Sequence, residues 1–166
     1  MTLQRIYLAG PDVFRPDAAE HGRRLVALCA ELGFTGVFPL AETLPDLPPR
    51  ELAAHIYHAN VAHIDRCDAV VANPDFFRGP EPDSGTCFEV GYAVARGKPV
   101  VGYVPEDGSF AQRMRARHPQ AVGDGLKDAA GWELEEFGLP LNLMLAVPCR
   151  IVVGGLREAL QHLARE

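Results

Sequence analysis

Several things are scarce in this sequence, and each absence removes a class of protein. Cysteine occurs four times, at Cys29, Cys67, Cys87 and Cys149, without a C-x-x-C pair. A chain of this length without paired cysteines is no disulfide scaffold, and we read the thiols as reduced. Long apolar runs are missing. The longest uncharged stretch, Phe137 to Cys149, is 13 residues and contains two prolines, short of the ~17 to 25 that a spanning helix needs. The opening residues MTLQRIYLAG carry too short an apolar run for a signal peptide, so we expect a cytoplasmic protein with no membrane partner. Positive charge is also limited, with 16 Lys and Arg against 22 Asp and Glu, for a net charge of -6. That balance disfavours a nucleic-acid polymer, whose affinity comes largely from phosphate contacts. The one basic run, Arg113, Arg115 and Arg117, reads as a solvated helix face. Neither G-x-G-x-x-G nor G-x-x-x-x-G-K-[ST] occurs, so the usual backbone cradles for dinucleotides and triphosphates are absent.

What remains is an ordinary globular chain. Its 166 residues, 48% hydrophobic and 23% charged, fit one domain over 1–166 with a core large enough to hold a pocket. Strand-like runs at Ile6–Gly10, Gly36–Pro39, Ala69–Ala72, Val100–Tyr103 and Arg150–Val153 alternate with helical patterns at Asp17–Leu32, Pro49–Arg66, about Ser84–Arg96 and Leu156–Arg165. A Pro-rich loop follows the second strand. The segment Pro105–Pro148 reads as irregular, with a basic helix near Phe110–Arg117. Ala69–Ala72 is apolar throughout, as befits a strand covered on both faces of a parallel sheet. The alternation predicts an α/β fold of the flavodoxin-like, or Rossmann-like, kind: an open five-stranded parallel sheet with helices on both faces and ligands at the carboxyl ends of the strands.

The chemistry concentrates in the third of these helical patterns, about Ser84–Arg96. Between Asp83 and Arg96 the only charged residue is Glu89, on a helix otherwise small or apolar that must pack on the sheet. A buried carboxylate costs several kcal/mol unless partners hold it. The alternative is an exposed glutamate on the outer stripe. Tyr7, near the carboxyl end of strand one, favours the first reading because its hydroxyl can donate to a carboxylate in the next layer. Other polar groups attract less functional weight. His55, His58 and His63 share a predicted helix at spacings poorly suited to zinc. Glu133, Glu135 and Glu136 read as a solvated face, and Arg78 as either a substrate contact or a pin for its loop. No cofactor or metal is expected.

The combination Ile6-Tyr7-Leu8-Ala9-Gly10-Pro11, Phe77-Arg78-Gly79-Pro80, Asp83-Ser84-Gly85-Thr86, Phe88-Glu89-Val90-Gly91-Tyr92, Gly97-Lys98-Pro99-Val100 and Asn142-Leu143-Met144 resembles the nucleoside 2-deoxyribosyltransferase family, from Arg5 to about Met144. The resemblance implies that Glu89 is the nucleophile that attacks the anomeric carbon of deoxyribose, with Tyr7 holding its carboxylate and Asp83 moving a proton at the base. It further implies Phe14, Arg78 and Gly79 near the substrate, with Phe14 stacking on the base. Asn142 and Met144 would be lent to a neighbouring subunit's site in a homo-oligomer, Asn142 near the sugar 5'-hydroxyl. One departure stands out: where better-known members have a second Asp on the helix before strand three, this chain has Asn60, which can bind a base edge but cannot act as an acid. The partners so implied are deoxynucleosides and nucleobases.

Three functions compete. The first is a transferase that moves 2-deoxyribose between bases through a glycosyl-enzyme, a chemistry that suits a carboxylate beneath a developing oxocarbenium ion. The second is a hydrolase of deoxynucleoside 5'-monophosphates. Asp12 and Asp17 in the first loop, together with a whole-chain total of two serines, Ser84 and Ser109, argue against it. The third is a flavodoxin-like module that binds a nucleotide without chemistry.

Overall fold

A computed structural model describes residues 4–40 and 44–165. The first three residues, the middle of the Pro-rich loop and Glu166 lie outside the described residues. Five strands, β1 (Arg5–Ala9), β2 (Thr35–Val37), β3 (Ala69–Ala72), β4 (Val100–Val104) and β5 (Arg150–Val153), form one sheet in the order β2-β1-β3-β4-β5. Every pairing is parallel, with Tyr7 opposite Val37 on one side and Val70 on the other. Six helices connect and follow the strands: α1 (Ala18–Glu31), α2 (Pro49–Arg66), α3 (Ser84–Ala95), α4 (Phe110–Arg117), α5 (Leu143–Ala146) and α6 (Leu156–Leu163). The expected open five-stranded sheet is what forms. No helix among the described residues is long and apolar enough to cross a membrane.

The period-2 alternation of the strands divides the core in two. Ile6, Leu8, Ala69, Val71 and Val101 pack with Cys29 of α1 and Leu156, Ala159 and Leu160 of α6. Tyr7, Ala9, Val70, Ala72 and Val100 face the other way, onto Ile64 of α2, Val90 and Ala93 of α3, and Leu141 and Leu145. Tyr7 therefore shares a face with α3, the helix that carries Glu89. The strand order reverses between β1 and β3, and the loops leaving those two strands diverge to open a crevice at their carboxyl ends.

Local chemistry sets the boundaries. Pro49 opens α2 in its first turn, where its missing N–H is no loss. Asp83 caps α3: its Oδ2 accepts from Thr86 N at 3.0 Å and Thr86 Oγ1 at 3.2 Å, worth about 1 kcal/mol. Ser109 and Gln112 form a reciprocal capping box at the start of α4.

Two surface readings need correction. Arg113 is not solvated; only 1% of its surface is exposed. Residues 113 and 117 are four apart and share a helix face, whereas 115 points elsewhere. That shared face meets Asp75 and Glu106, which bind both guanidiniums. Arg115 is exposed and donates to the carbonyl of Gly125, and Arg117 also remains exposed while it reaches Asp75. Glu133 is exposed as expected, but Glu135 and Glu136 are not a free solvated face. Glu135 accepts from Asn142 Nδ2 at 2.9 Å and Leu143 N at 3.0 Å, and Glu136 accepts from Ser109 Oγ at 2.8 Å. These carboxylates tie the irregular segment to α4 and α5.

Candidate active site

The crevice at the β1/β3 reversal holds a cavity of about 290 Å³. Its apolar wall comes from Val13 and Phe14 after β1, Pro39, Leu40 and Leu44 after β2, and Ile56 on α2. Asn60 on α2, and Asp83 and Glu89 at the start and middle of α3, supply the polar wall. Gly10 and Gly85 bring backbone to the same surface. Of this apolar half only Phe14 was expected from the sequence; Leu40 and Leu44 stand in a proline-rich stretch with no periodic pattern.

Glu89 is partly buried at the floor of this cavity. Tyr7, fully buried in the middle of β1, donates its hydroxyl to Glu89 Oε1 at 2.6 Å. Asn60 Nδ2 approaches the same oxygen at 3.4 Å, a long contact. Thus two neutral donors hold one carboxylate oxygen, and no cation pairs with it among the described ion pairs. Burial pushes the Glu89 carboxyl up from 4.5 to about 7; the Tyr7 hydrogen bond opposes the rise and the charge of Asp83 adds to it. The Tyr7 phenol is raised well above its ordinary value by burial first and by Glu89 next, so it stays a proton donor.

Asp83 divides its carboxylate between two duties. Oδ2 is committed to capping α3, and the residue also lines the cavity. Phe14, 56% exposed, stacks on Phe77 with ring centroids 5.5 Å apart and planes 19° apart. The Arg78 guanidinium lies 4.5 Å from the Phe77 ring and 5.0 Å from the Phe14 ring. Arg78 has φ +56°, a conformation that costs a non-glycine residue about 1–3 kcal/mol. The two rings hold its side chain in place. Arg78 therefore pins its loop beside the cavity, while neither it nor Gly79 lines it.

Asn142 and Met144 are not brought to this cavity by their own chain. Asn142 caps α5, accepting from Met144 N at 3.0 Å, and donates to Glu135. Met144 is 73% exposed and Val147 70% exposed. His55, His58 and His63 form no metal-binding group; no cluster of three or more His, Cys, Asp or Glu suited to a metal occurs among the described residues.

The acids of the first loop have partners that the sequence did not show. Asp12 accepts from Asn73 Nδ2 at 3.0 Å and lies 3.0 Å from His21 Nε2, and Asp17 pairs with Arg15 and Arg24. Asp17 thus faces two guanidiniums, which weakens the electrostatic ground for excluding a phosphate there, whereas Asp12 is held by hydrogen bonds.

Comparison with known proteins bears on the family and the fold. The family model for nucleoside 2-deoxyribosyltransferase matches residues 6–144. An uncharacterized protein of Schizosaccharomyces pombe, C191.05c, is 36% identical over 126 residues, which is 74% of this chain and 60% of that protein. The chain thus spans about three fifths of the length of this curated relative. Among solved structures, a 2-desoxiribosyltransferase from Leishmania mexicana superposes with a TM-score of 0.77 at 30% identity, covering 98% of each chain. A CMP N-glycosidase from Clostridium botulinum shares the fold, with a TM-score of 0.51 at 17% identity over 98% of this chain and 100% of that one. The chain belongs to the nucleoside 2-deoxyribosyltransferase family.

Proposed function

We propose that this family member cleaves the N-glycosidic bond of 2'-deoxynucleosides and transfers the deoxyribose to another nucleobase through a glycosyl ester on Glu89. The observation that carries the reading is the 2.6 Å hydrogen bond from the buried Tyr7 to Glu89 at the floor of the cavity. It holds a carboxylate, with no cation partner among the described ion pairs, in a pocket lined otherwise mostly by apolar side chains and Phe14. A flat base suits the Phe14 end and a sugar the Glu89 end.

In the first step an oxygen of Glu89 forms a bond to the anomeric carbon as the bond from that carbon to the base nitrogen breaks. The departing base takes a proton, delivered by Asp83 or by water. Asn60 is an amide and supplies none; it contributes a hydrogen bond instead. As the transition state gains oxocarbenium character, the Glu89 carboxylate stabilises it. In the second step a nitrogen of the acceptor base attacks the same carbon, releases the carboxylate and loses its proton. Tyr7 keeps the carboxylate oriented in both steps and never needs to ionise. Asn142 and Met144, turned away from their own cavity, are read as contributions to a neighbouring copy's site.

Hydrolysis of 5'-phosphorylated donors is the second reading. The pairing of Asp17 with Arg15 and Arg24 favours it more than the bare sequence does.

The test is to incubate the protein with deoxyinosine, with and without adenine, and follow hypoxanthine and deoxyadenosine by chromatography. Deoxyadenosine should form only when adenine is present, with ping-pong kinetics. Mass spectrometry of quenched enzyme should show a deoxyribosyl adduct on Glu89. Intersecting double-reciprocal lines without an adduct would mean direct displacement, and hypoxanthine release that ignores adenine would mean a hydrolase.

A further inference from the structure

Arg113 is the largest fully buried side chain described, and it reaches three separate segments. Nη2 donates to Asp75 Oδ1 at 2.6 Å, Nε to Glu106 Oε1 at 3.2 Å and Nη1 to the carbonyl of Pro140 at 2.7 Å. Its guanidinium lies 4.8 Å from the centre of the Phe76 ring. Arg117 adds a second guanidinium to Asp75 and Glu106 and stands 5.1 Å from Phe76. Two cations meet two carboxylates, so the buried charge is balanced.

Apolar side chains replacing the arginine and its carboxylates together would fill this space at little cost, since a buried ion pair gains little over apolar packing. What they could not do is direct donors at three chain segments at once. Asp75 and Phe76 form the root of a loop that closes where Phe76 bridges Pro82 and Phe77 N donates to the carbonyl of Glu81 at 2.9 Å. Phe77 and Arg78 stand at its tip, against Phe14. Pro140 leads into the buried Leu141 and then Asn142. No side-chain hydrogen bond among the described residues joins Glu89 or Tyr7 to this network.

We propose that Arg113 is a positioning residue: by clamping Asp75 and Phe76 it fixes the Phe77–Arg78 shelf, and through it Phe14, so that it sets affinity for the base end of the substrate without acting on the rate at Glu89. The inference rests on the reading of the cavity as a nucleoside site. In Arg113→Met, which keeps length and loses every donor, the KM for deoxyinosine rises about ten-fold while kcat stays within about twofold and the acid limb of the pH profile does not move. Arg113→Lys falls between the two. Phe77→Ala removes the shelf itself, so adding Arg113→Met to it raises KM by less than about twofold more. A kcat that falls as much as KM rises, or effects that multiply in the double variant, would reduce Arg113 to a general stabiliser and overturn the proposal.

Hydrogen exchange on the full chain gives a readout independent of activity. In Arg113→Met the Phe77 amide exchanges faster while amides of α3 around Glu89 keep their protection. Uniform loss of protection, or none at Phe77, overturns the proposal. Should Arg113→Met not fold, Asp75→Asn carries the same expectations in both measurements. If the wild-type chain acts on no nucleoside, the functional reading fails by itself and the exchange result alone decides the fate of the clamp.

Discussion

Two carboxylate sites lie at the carboxyl end of this sheet, and their surroundings are opposite. Asp75 and Glu106 face Arg113 and Arg117, so their charge is met by charge. Glu89 faces a phenol and an amide. Cations hold a carboxylate ionised and immobile, whereas neutral donors orient it and leave its proton affinity high. The first arrangement builds a wall and the second keeps a nucleophile available. The raised Glu89 and the clamp at Arg113 are therefore two uses of the same chemical group, separated by what stands within 3.5 Å.

The comparison breaks most visibly at Glu89. Replacing it by Gln keeps the shape and the hydrogen bond from Tyr7 but removes the nucleophile, and kcat for base release should fall by about 10³-fold or more. Activity above a few per cent of wild type in a stopped chromatographic assay would assign the attack to another residue. An Asp75→Asn variant, on the cation-paired side, should leave kcat nearly untouched.

Tyr7→Phe sharpens the contrast at smaller amplitude. The hydroxyl lowers the proton affinity of Glu89 against a larger opposing effect of burial. Its removal should move the acid limb of kcat/KM, expected near pH 7 for the wild type, to higher pH. The loss of orientation should cost about 10- to 100-fold in kcat. The pH profile of the two proteins, measured from pH 5 to 9, checks both numbers, and a limb that moves to lower pH would contradict the assigned hydrogen bond.

Much of this was readable in the sequence where local chemistry decides. The helix at Pro49–Arg66 and the strand at Ala69–Ala72 form at the expected residues, because a first-turn proline and an all-apolar run are local signals. Glu89 stood out as the one charge on an apolar helix, and Tyr7 near the end of strand one offered it a hydroxyl donor; the two meet at 2.6 Å. Arg113 could not be read this way. Its partners lie 7, 27 and 38 residues away, and three alternating arginines look alike until the loop after β3 is folded against one of them. The same holds for Asp12, whose partner Asn73 is 61 residues distant. Charges on a sequence say nothing of convergence.

The smallest effect is on stability, and its sign follows from the same carboxyl. In the folded chain Glu89 binds its proton up to about pH 7, against about 4.5 unfolded. Between those values the native state holds more protons, so wild-type stability falls as pH rises from 4.5 to 7 and the loss is complete above it. Glu89→Gln cannot ionise and escapes that loss. Chemical denaturation should find the variant more stable than wild type by about 1–3 kcal/mol at pH 8 and equal within error at pH 4. The cation-paired Asp75 gives the contrary case: Asp75→Asn leaves a buried guanidinium short of one partner, and should be destabilising at pH 8. Equal stability of Glu89→Gln and wild type at pH 8 would mean that the carboxylate is better solvated than its burial against β1 implies, and the nucleophile would then titrate as an ordinary surface acid.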